Sequence, residues 1–191
     1  MNEKDIVNLI REDEWMMEIL KTTKKLDLPG WWIGAGFIRS KVWDHLHGFK
    51  QRTPISDIDV IYFDKGDFTD IEASAETTDK EIKYENLLKE IMPGVNWSVT
   101  NQARMHLFHN HPPYKSASEG LSHWIETATC IGIKIDENNK LILTAPHGIR
   151  DLVNLVLRPT PNTGESIERF DERVASKKWL TKWPKLKILR G

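Results

Sequence analysis

An α+β fold, a mixed β-sheet with flanking helices, is what this 191-residue sequence predicts, and three observations carry it. Two short apolar runs, "WWIGAGF" (31–37) and "DIDVIYF" (57–63), read as strands bounded by turn residues. Between and around them, apolar side chains recur at the 3–4-residue spacing of amphipathic helices. A third apolar pair, "ETATCIGIKI" and "KLILTA", flanks "DENN" as a hairpin, so strands and helices interleave without the strict alternation of a parallel sheet.

Taken in order, residues 3–26 predict a helix, with Ile6, Leu9, Ile10, Met16, Met17 and Leu20 on its buried face. "LDLPG" ends it at Pro29 and Gly30. "WWIGAGF" is the first strand, and Ile38, Val42 and Leu46 line a following helix that stops at Gly48. "KQRTP" turns the chain into the strand at 57–63. The acidic stretch "DKGDFTDIEASAETTDK" has no period and reads as a loop. Thr78 and Glu81 then form a capping box for a helix faced by Tyr84, Leu87, Leu88 and Ile91. "MPG" stops that helix, and "NWSVTNQARMHLF" alternates as a strand. Past the hairpin, "GIRDLVNLVL" predicts a helix, "RPTPNTG" a linker, and a last helix runs from near Glu165 to Trp183. The length suits one domain over residues 1–191, with a core at about 31–145 and a helical C-terminal part at 146–191.

Composition narrows the class. With 39% apolar and 29% charged residues the chain matches soluble globular proteins, and no window offers the roughly 18 apolar residues a membrane span needs. The polar, acidic N-terminus is unlike a secretory signal, so no membrane partner and a cytoplasmic location are expected. A single cysteine, Cys130, excludes an internal disulfide or a multi-cysteine zinc site and reads as a buried, inert thiol. The net charge of −1 conceals an asymmetry: residues 176–191 hold six Lys/Arg and no acid, leaving 21 basic against 28 acidic side chains elsewhere. This tail, with Trp179 and Trp183, is either a nucleic-acid contact or a terminal helix docked on an acidic body.

Chemistry concentrates in the first half. Asp57 and Asp59 sit two apart on a strand and therefore face the same way. Two carboxylates so close repel each other and resist desolvation, which a divalent cation would offset. "GAG" at 34–36 closes a strand and opens a helix, a junction whose free backbone N–H groups suit phosphate. Arg39, one turn into that helix, adds a fork-shaped cation. A phosphate cradle, an arginine and metal-binding carboxylates together describe phosphoryl or nucleotidyl transfer.

These residues carry a resemblance. "GAGFIRSKVWDHLHGF" followed by "SDIDVIYFD" resembles the signature of the polymerase-beta-type nucleotidyltransferase superfamily, in particular the head domain of tRNA CCA-adding enzymes and bacterial poly(A) polymerases. Ala35 and Gly36 stand at its paired glycines, Ile38 and Arg39 at its hydrophobic–Arg step, Leu46 and Gly48 near the helix end, and Asp57 and Asp59 at its D-x-D. "EASAETTDKEI" is similar to the segment leading to the next helix, and the whole chain is similar to a small bacterial family of nucleotidyltransferase-like proteins. The likeness implies a polymerase-beta-like head (palm) fold. It also implies Asp57 and Asp59 as catalytic ligands of Mg²⁺ (or Mn²⁺), with Ala35, Gly36 and Arg39 gripping the phosphates of an NTP. The product would be a nucleotidylated acceptor, RNA or a small molecule, plus pyrophosphate. Ser40 stands where CCA-adding enzymes usually carry Asp. Many superfamily members place a third carboxylate on a neighbouring strand, where "NWSVTNQ" offers Ser98 and Thr100; Glu126 is the acid that can substitute. At this length the neck, body and tail that hold tRNA are not expected, nor is CCA addition itself.

Other polar residues leave alternatives open. His106, His109 and His111 are either a zinc cluster or ordinary surface and core histidines. Asn101, Gln102 and Arg104 either read a base or phosphate or hydrogen-bond a loop. Trp31, Trp32, Trp43, Trp97 and Trp124 read as core. Two functions compete: a metal-dependent nucleotidyltransferase, and a catalytically inactive nucleotide- or RNA-binding module that keeps the same fold. A histidine-ligated metalloprotein is a third.

Overall fold

The computed structural model describes residues 1–68, 75–109, 111–161 and 167–190. Parts of the expected acidic loop, of the "EASAETTDKEI" and "RPTPNTG" segments and the expected helix start at Glu165 lie outside these residues.

The expected first helix is two: α1 (Glu3–Arg11) and α2 (Glu14–Lys24). Asp13 breaks them, because its extended backbone and a side chain accepting from Met16 N at 3.1 Å make it the N-cap of α2. Ile6, Ile10, Met16 and Leu20 are buried as expected, Leu9 and Met17 are half-buried against the same core, and Ile19, not on the expected face, is buried too. The sheet begins with β1 (Trp32–Gly34), followed at once by α3 (Gly36–His47), which ends in left-handed Gly48 (φ +72°) as expected. β2 (Ile58–Tyr62) pairs antiparallel with β1, and β3 (Trp97–Asn101) pairs parallel with β2. The parallel return needs a crossover, which α4 (Asp79–Ile91) supplies. The predicted capping box is present: Glu81 N donates to Thr78 Oγ1 and Thr78 N to Glu81 Oε2. β4 (Gly132–Ile135) lies on the other side of β1, and β5 (Leu141–Thr144) completes the hairpin. The five-stranded order is β3-β2-β1-β4-β5, with four strands contributing antiparallel pairs and one parallel step. The α+β class stands.

Two strands are shorter than the sequence suggests. "NWSVTNQARMHLF" leaves the sheet at Asn101, whose side chain accepts from Ala103 N and caps α5 (Gln102–Met105), followed by a 3-10 turn at His106–His109. "ETATCIGIKI" starts as a 3-10 turn at Thr127–Thr129, so Glu126 precedes the sheet. A short helix, α6 (Ala117–Ser122), packs near β1.

After β5, α7 (Arg150–Val153) leads into β6 (Val156–Leu157). The last expected helix is divided into α8 (Ile167–Lys177) and α9 (Trp179–Lys182) by Lys178, whose φ of +51° no helix accommodates. β7 (Lys187–Ile188) then pairs parallel with β6, a ribbon the helical reading of this part did not include. Phe170, Val174, Trp179, Trp183 and Leu186 bury the segment in the same core cluster as the sheet. Among the described residues, no helix is long and apolar enough to cross a membrane.

Candidate functional site

The junction between β1 and α3 is backbone-driven. Ala35 holds φ +42° and ψ −107°, its N–H donates to Ile131 O at 3.0 Å, and its carbonyl accepts from Arg39 N at 2.9 Å. The chain thus turns from strand to helix within one residue, and Ala35 and Gly36 open the N-terminus of a 12-residue helix into a cleft of about 550 Å³. Arg39, Asp57 and Asp59 line the same cleft. The five residues singled out in the sequence are brought together.

Arg39 is 8% exposed, its guanidinium carbon 4.5 Å from the Trp179 ring centroid and 5.2 Å from that of Trp43. Burial pushes its pKa down to about 10, which leaves it charged at neutral pH; nearby Glu126, Asp59 and Asp57 favour that charge and Arg173 opposes it. Among the described residues its Nε has no hydrogen-bond partner. A buried guanidinium with an idle donor on a cleft wall is suited to receive an anion.

Asp57 and Asp59 are half-buried, at the entry to β2 and within it. Burial, then repulsion from Asp57, raises Asp59 to about 7, with Arg39, Arg173 and Lys177 pulling the other way. Asp57 accepts from Ser56 Oγ. Two hard carboxylates that repel each other on one cleft wall fit a divalent cation, which would remove the repulsion while taking its other ligands from phosphate and water. Opposite Asp59 on β3 stands Ser98. Glu126, the acid that could have completed a trio, is fully buried, 2.7 Å from Arg173 Nε, and accepts from Thr129 Oγ1 at 3.0 Å. Because Arg173 Nε lies within ion-pair distance but off the line of a good hydrogen bond, we read this contact as charge pairing. Glu126 is therefore the counter-ion of the arginines. Among the described residues, no group of three or more His, Cys, Asp or Glu is placed to hold a metal.

The far wall is the part the sequence reading missed. Arg169, Arg173 and Lys177 on α8, with Lys182, Trp179 and Trp183 of α9 and its end, face the same cleft. The signal was present: 169, 173 and 177 recur every fourth residue and so share one helix face. The acid-free basic run begins only at residue 176, past Arg169 and Arg173, where acidic neighbours dilute the row. The tail is docked, as one of its two readings held, but on the tryptophan face of α3 rather than on an acidic surface. Trp43 meets Trp179 and Trp183 edge-on at 6.0 and 5.1 Å. Five cations against two carboxylates give the cleft the charge balance a polyphosphate needs.

The remaining candidates separate. Among the described residues His106, His109 and His111 form no metal-binding group; His106 pairs with the Ala103 carbonyl, and His111 meets the Tyr114 hydroxyl at 3.1 Å and lies 4.4 Å from the His123 ring. Arg104 is internal, bidentate to Glu81 at 2.6 and 3.0 Å and bonded to the carbonyls of Ala75 and Glu76. Asn101 ties β3 to Asp64. Cys130 is buried, and burial pushes its thiol well above the usual range. Trp31, Trp43 and Trp97 are core, whereas Trp124 lines the cleft.

Comparison with known proteins points the same way. Residues 21–188 match the family model described as nucleotidyltransferase. An NMR structure described as revealing a CCA-adding enzyme head domain is 30% identical, with a TM-score of 0.83 over 100% of this chain and 97% of that one. The Thermotoga maritima CCA-adding enzyme complexed with tRNA (16% identity, TM-score 0.56) shares the fold over 97% of this chain and 42% of its own. A tRNA-processing enzyme with CTP (16% identity, TM-score 0.53) does so over 90% of this chain and 43% of its own. The chain thus spans less than half the length of these last two. No curated protein matches the sequence. Family and fold support nucleotidyl transfer in general terms.

Proposed function

The chain belongs to the nucleotidyltransferase family, and from that premise and the cleft's geometry we propose that it transfers a nucleotidyl group from an NTP to an acceptor. Residues 1–191 act as one domain in this reading. Asp57 and Asp59 would hold Mg²⁺ (or Mn²⁺), which would supply charge neutralisation at the phosphates and activation of the acceptor hydroxyl. The N–H groups at Ala35 and Gly36, with Arg39, bind and orient the phosphates, and Arg173 and Lys177 balance charge from the opposite wall. The acceptor oxygen bonds to the α-phosphorus as the bond to the bridging oxygen breaks; pyrophosphate leaves with the electron pair, and the hydroxyl proton passes to solvent.

The observation that carries this reading is the meeting of the carboxylate pair with the strand-to-helix step and five cations in one cleft. The test is incubation with labelled NTPs, Mg²⁺ or Mn²⁺ and RNA or small-molecule acceptors. Replacing Asp57 and Asp59 together by Asn should abolish label transfer and pyrophosphate release. Transfer that persists in that double variant refutes the assignment.

A second reading rests on Ser98 facing Asp59 where a third acid would stand. It makes the protein a nucleotide- or RNA-binding module without turnover. It expects stabilisation by Mg²⁺–NTP with no pyrophosphate. If RNA is the partner, salt-sensitive binding should weaken in Lys177→Gln with Lys182→Gln, a better test than removing the tail, whose tryptophans belong to the core.

A further inference from the structure

A second cavity, of about 200 Å³, shares Asp59, His109, His123 and Trp124 with the main cleft but not Ala35, Gly36 or Arg39. Its position matters because transfer needs the leaving pyrophosphate and the attacking oxygen roughly in line through the α-phosphorus. The strand-to-helix step lies on the main-cleft side of Asp59. A space that touches Asp59 yet lacks that step is where an incoming acceptor would lie.

The walls of this cavity are built for a ligand. Gln102 is 3% exposed and lines it, and among the described residues its side-chain amide makes no hydrogen bond. Its amide atoms are open to the cavity, so their hydrogen-bonding capacity is available to a group that enters it. Its placement is made possible by Gly120: a Cβ there would lie 2.5 Å from Gln102 Oε1 and 3.0 Å from Gln102 Cβ. Thr100, half-buried beside it on β3, also makes no side-chain hydrogen bond among the described residues. Across from them, Tyr114 stacks on His123 with rings 4.9 Å apart and 14° from parallel. Among the described residues no lysine or arginine lines the cavity, in contrast to the cleft it joins.

We infer that this cavity is the acceptor subsite and that it takes one neutral, sugar-like group, whose hydroxyls Gln102 and Thr100 bind and whose attacking hydroxyl lies beside Asp59. The inference rests on the nucleotidyl-transfer reading. At roughly 20 Å³ per packed non-hydrogen atom the space holds about ten such atoms, the size of a single sugar ring. An amide offers two donors and an acceptor, a hydroxyl one of each, which suits adjacent hydroxyls. The aromatic wall covers a ring's apolar face. The absence of a cationic lining separates this group from the phosphates it receives.

The same chemistry is found in a free sugar or nucleoside and in the terminal ribose of an RNA. NMR titration of the ¹⁵N-labelled full chain separates them, using D-ribose, adenosine and a short RNA as probes and adenine base as control. Mg²⁺–NTP stabilisation of the same protein is measured in parallel. Ribose or adenosine should shift the Gln102 side-chain amide and the backbone of Thr100 and Gly120. Gln102→Met, which keeps the shape and removes the amide, should weaken that binding about tenfold. An RNA acting at about tenfold lower concentration than adenosine assigns the source as an RNA end, and a weaker one assigns a small molecule. The inference is overturned if no probe moves the Gln102 amide, if adenine alone moves it as much as adenosine, or if Gln102→Met binds unchanged. Mg²⁺–NTP stabilisation without any sugar response defeats the subsite alone. A sugar response without Mg²⁺–NTP stabilisation defeats the nucleotide assignment of the cleft.

Discussion

The indole N–H of Trp183 donates to Asp44 Oδ1 at 2.7 Å, joining residues 139 positions apart. The same carboxylate accepts from Thr53 N at 2.8 Å and Thr53 Oγ1 at 2.6 Å. Asp44 therefore ties α3, the turn before the aspartate strand and the end of α9 into one unit. This pairing holds the cationic wall over the strand-to-helix step.

Trp183→Phe keeps most of the ring packing and removes the donor. Loss of one hydrogen bond to a buried carboxylate costs about 1–3 kcal/mol. In a chain of this size that lowers Tm by roughly 2–10 °C. Calorimetry measures it, and a matching loss of Mg²⁺–NTP affinity is expected because the cationic wall loosens. An unchanged Tm would show that the bond is not holding the wall.

Asp59 makes Mg²⁺ affinity depend on pH. Burial first, and Asp57 second, raise its pKa to about 7 from an ordinary 3.8. Between those values the folded chain holds a proton that the unfolded chain has released, so metal-free stability falls as pH rises through the window. A cation bound by the pair displaces that proton, so Mg²⁺ affinity rises with pH until about 7 and then levels. Titration calorimetry at about pH 5.5 and 7.5 checks the sign. Equal affinities at the two pH values count against Asp59 as a ligand.

Arg104 and Glu81 form a buried pair, 0% and 1% exposed at their side chains. Arg104→Met leaves the buried Glu81 without its counter-charge, with only the backbone N–H groups of Thr78 and Asn101 still donating to it, which costs about 3–5 kcal/mol. Urea denaturation should show that loss. A stability change below about 1 kcal/mol would mean that solvent reaches the pair.

Ala35 adopts φ +42°, where a side chain is strained. Ala35→Gly relieves about 1–3 kcal/mol of strain against roughly 0.5–1 kcal/mol of added chain entropy. The variant should be more stable by about 1 kcal/mol in the same urea experiment. Lower stability would indicate that the methyl group's packing outweighs the strain.

Much of this protein is legible one segment at a time. The capping box of Thr78 and Glu81, the stop at Gly48 and the shared face of Asp57 and Asp59 depend on spacings of two to four residues, which local geometry dictates. The strand-to-helix step with Arg39 and the carboxylate pair was readable for the same reason, since each piece is continuous in the chain. Segment ends were less so. The helix expected over 3–26 broke at Asp13, whose side chain caps α2 and also pairs with Lys41 and Arg52 from distant parts of the chain. The strand after Trp97 ended early because Asn101 turned its side chain onto its own backbone.

Sequence alone, then, determined the α+β class, the paired acids and the strand-to-helix step, because periodicity and turn chemistry act between near neighbours. Only the tertiary structure decided that Arg169, Arg173 and Lys177 share a cleft with those acids, that Glu126 pairs with Arg173 instead of joining them, and that Gln102 lines a cavity while Asn101 and Arg104 bond to the chain around them. Those outcomes depend on which surfaces bury against each other, and burial is settled by contacts between residues far apart in the chain.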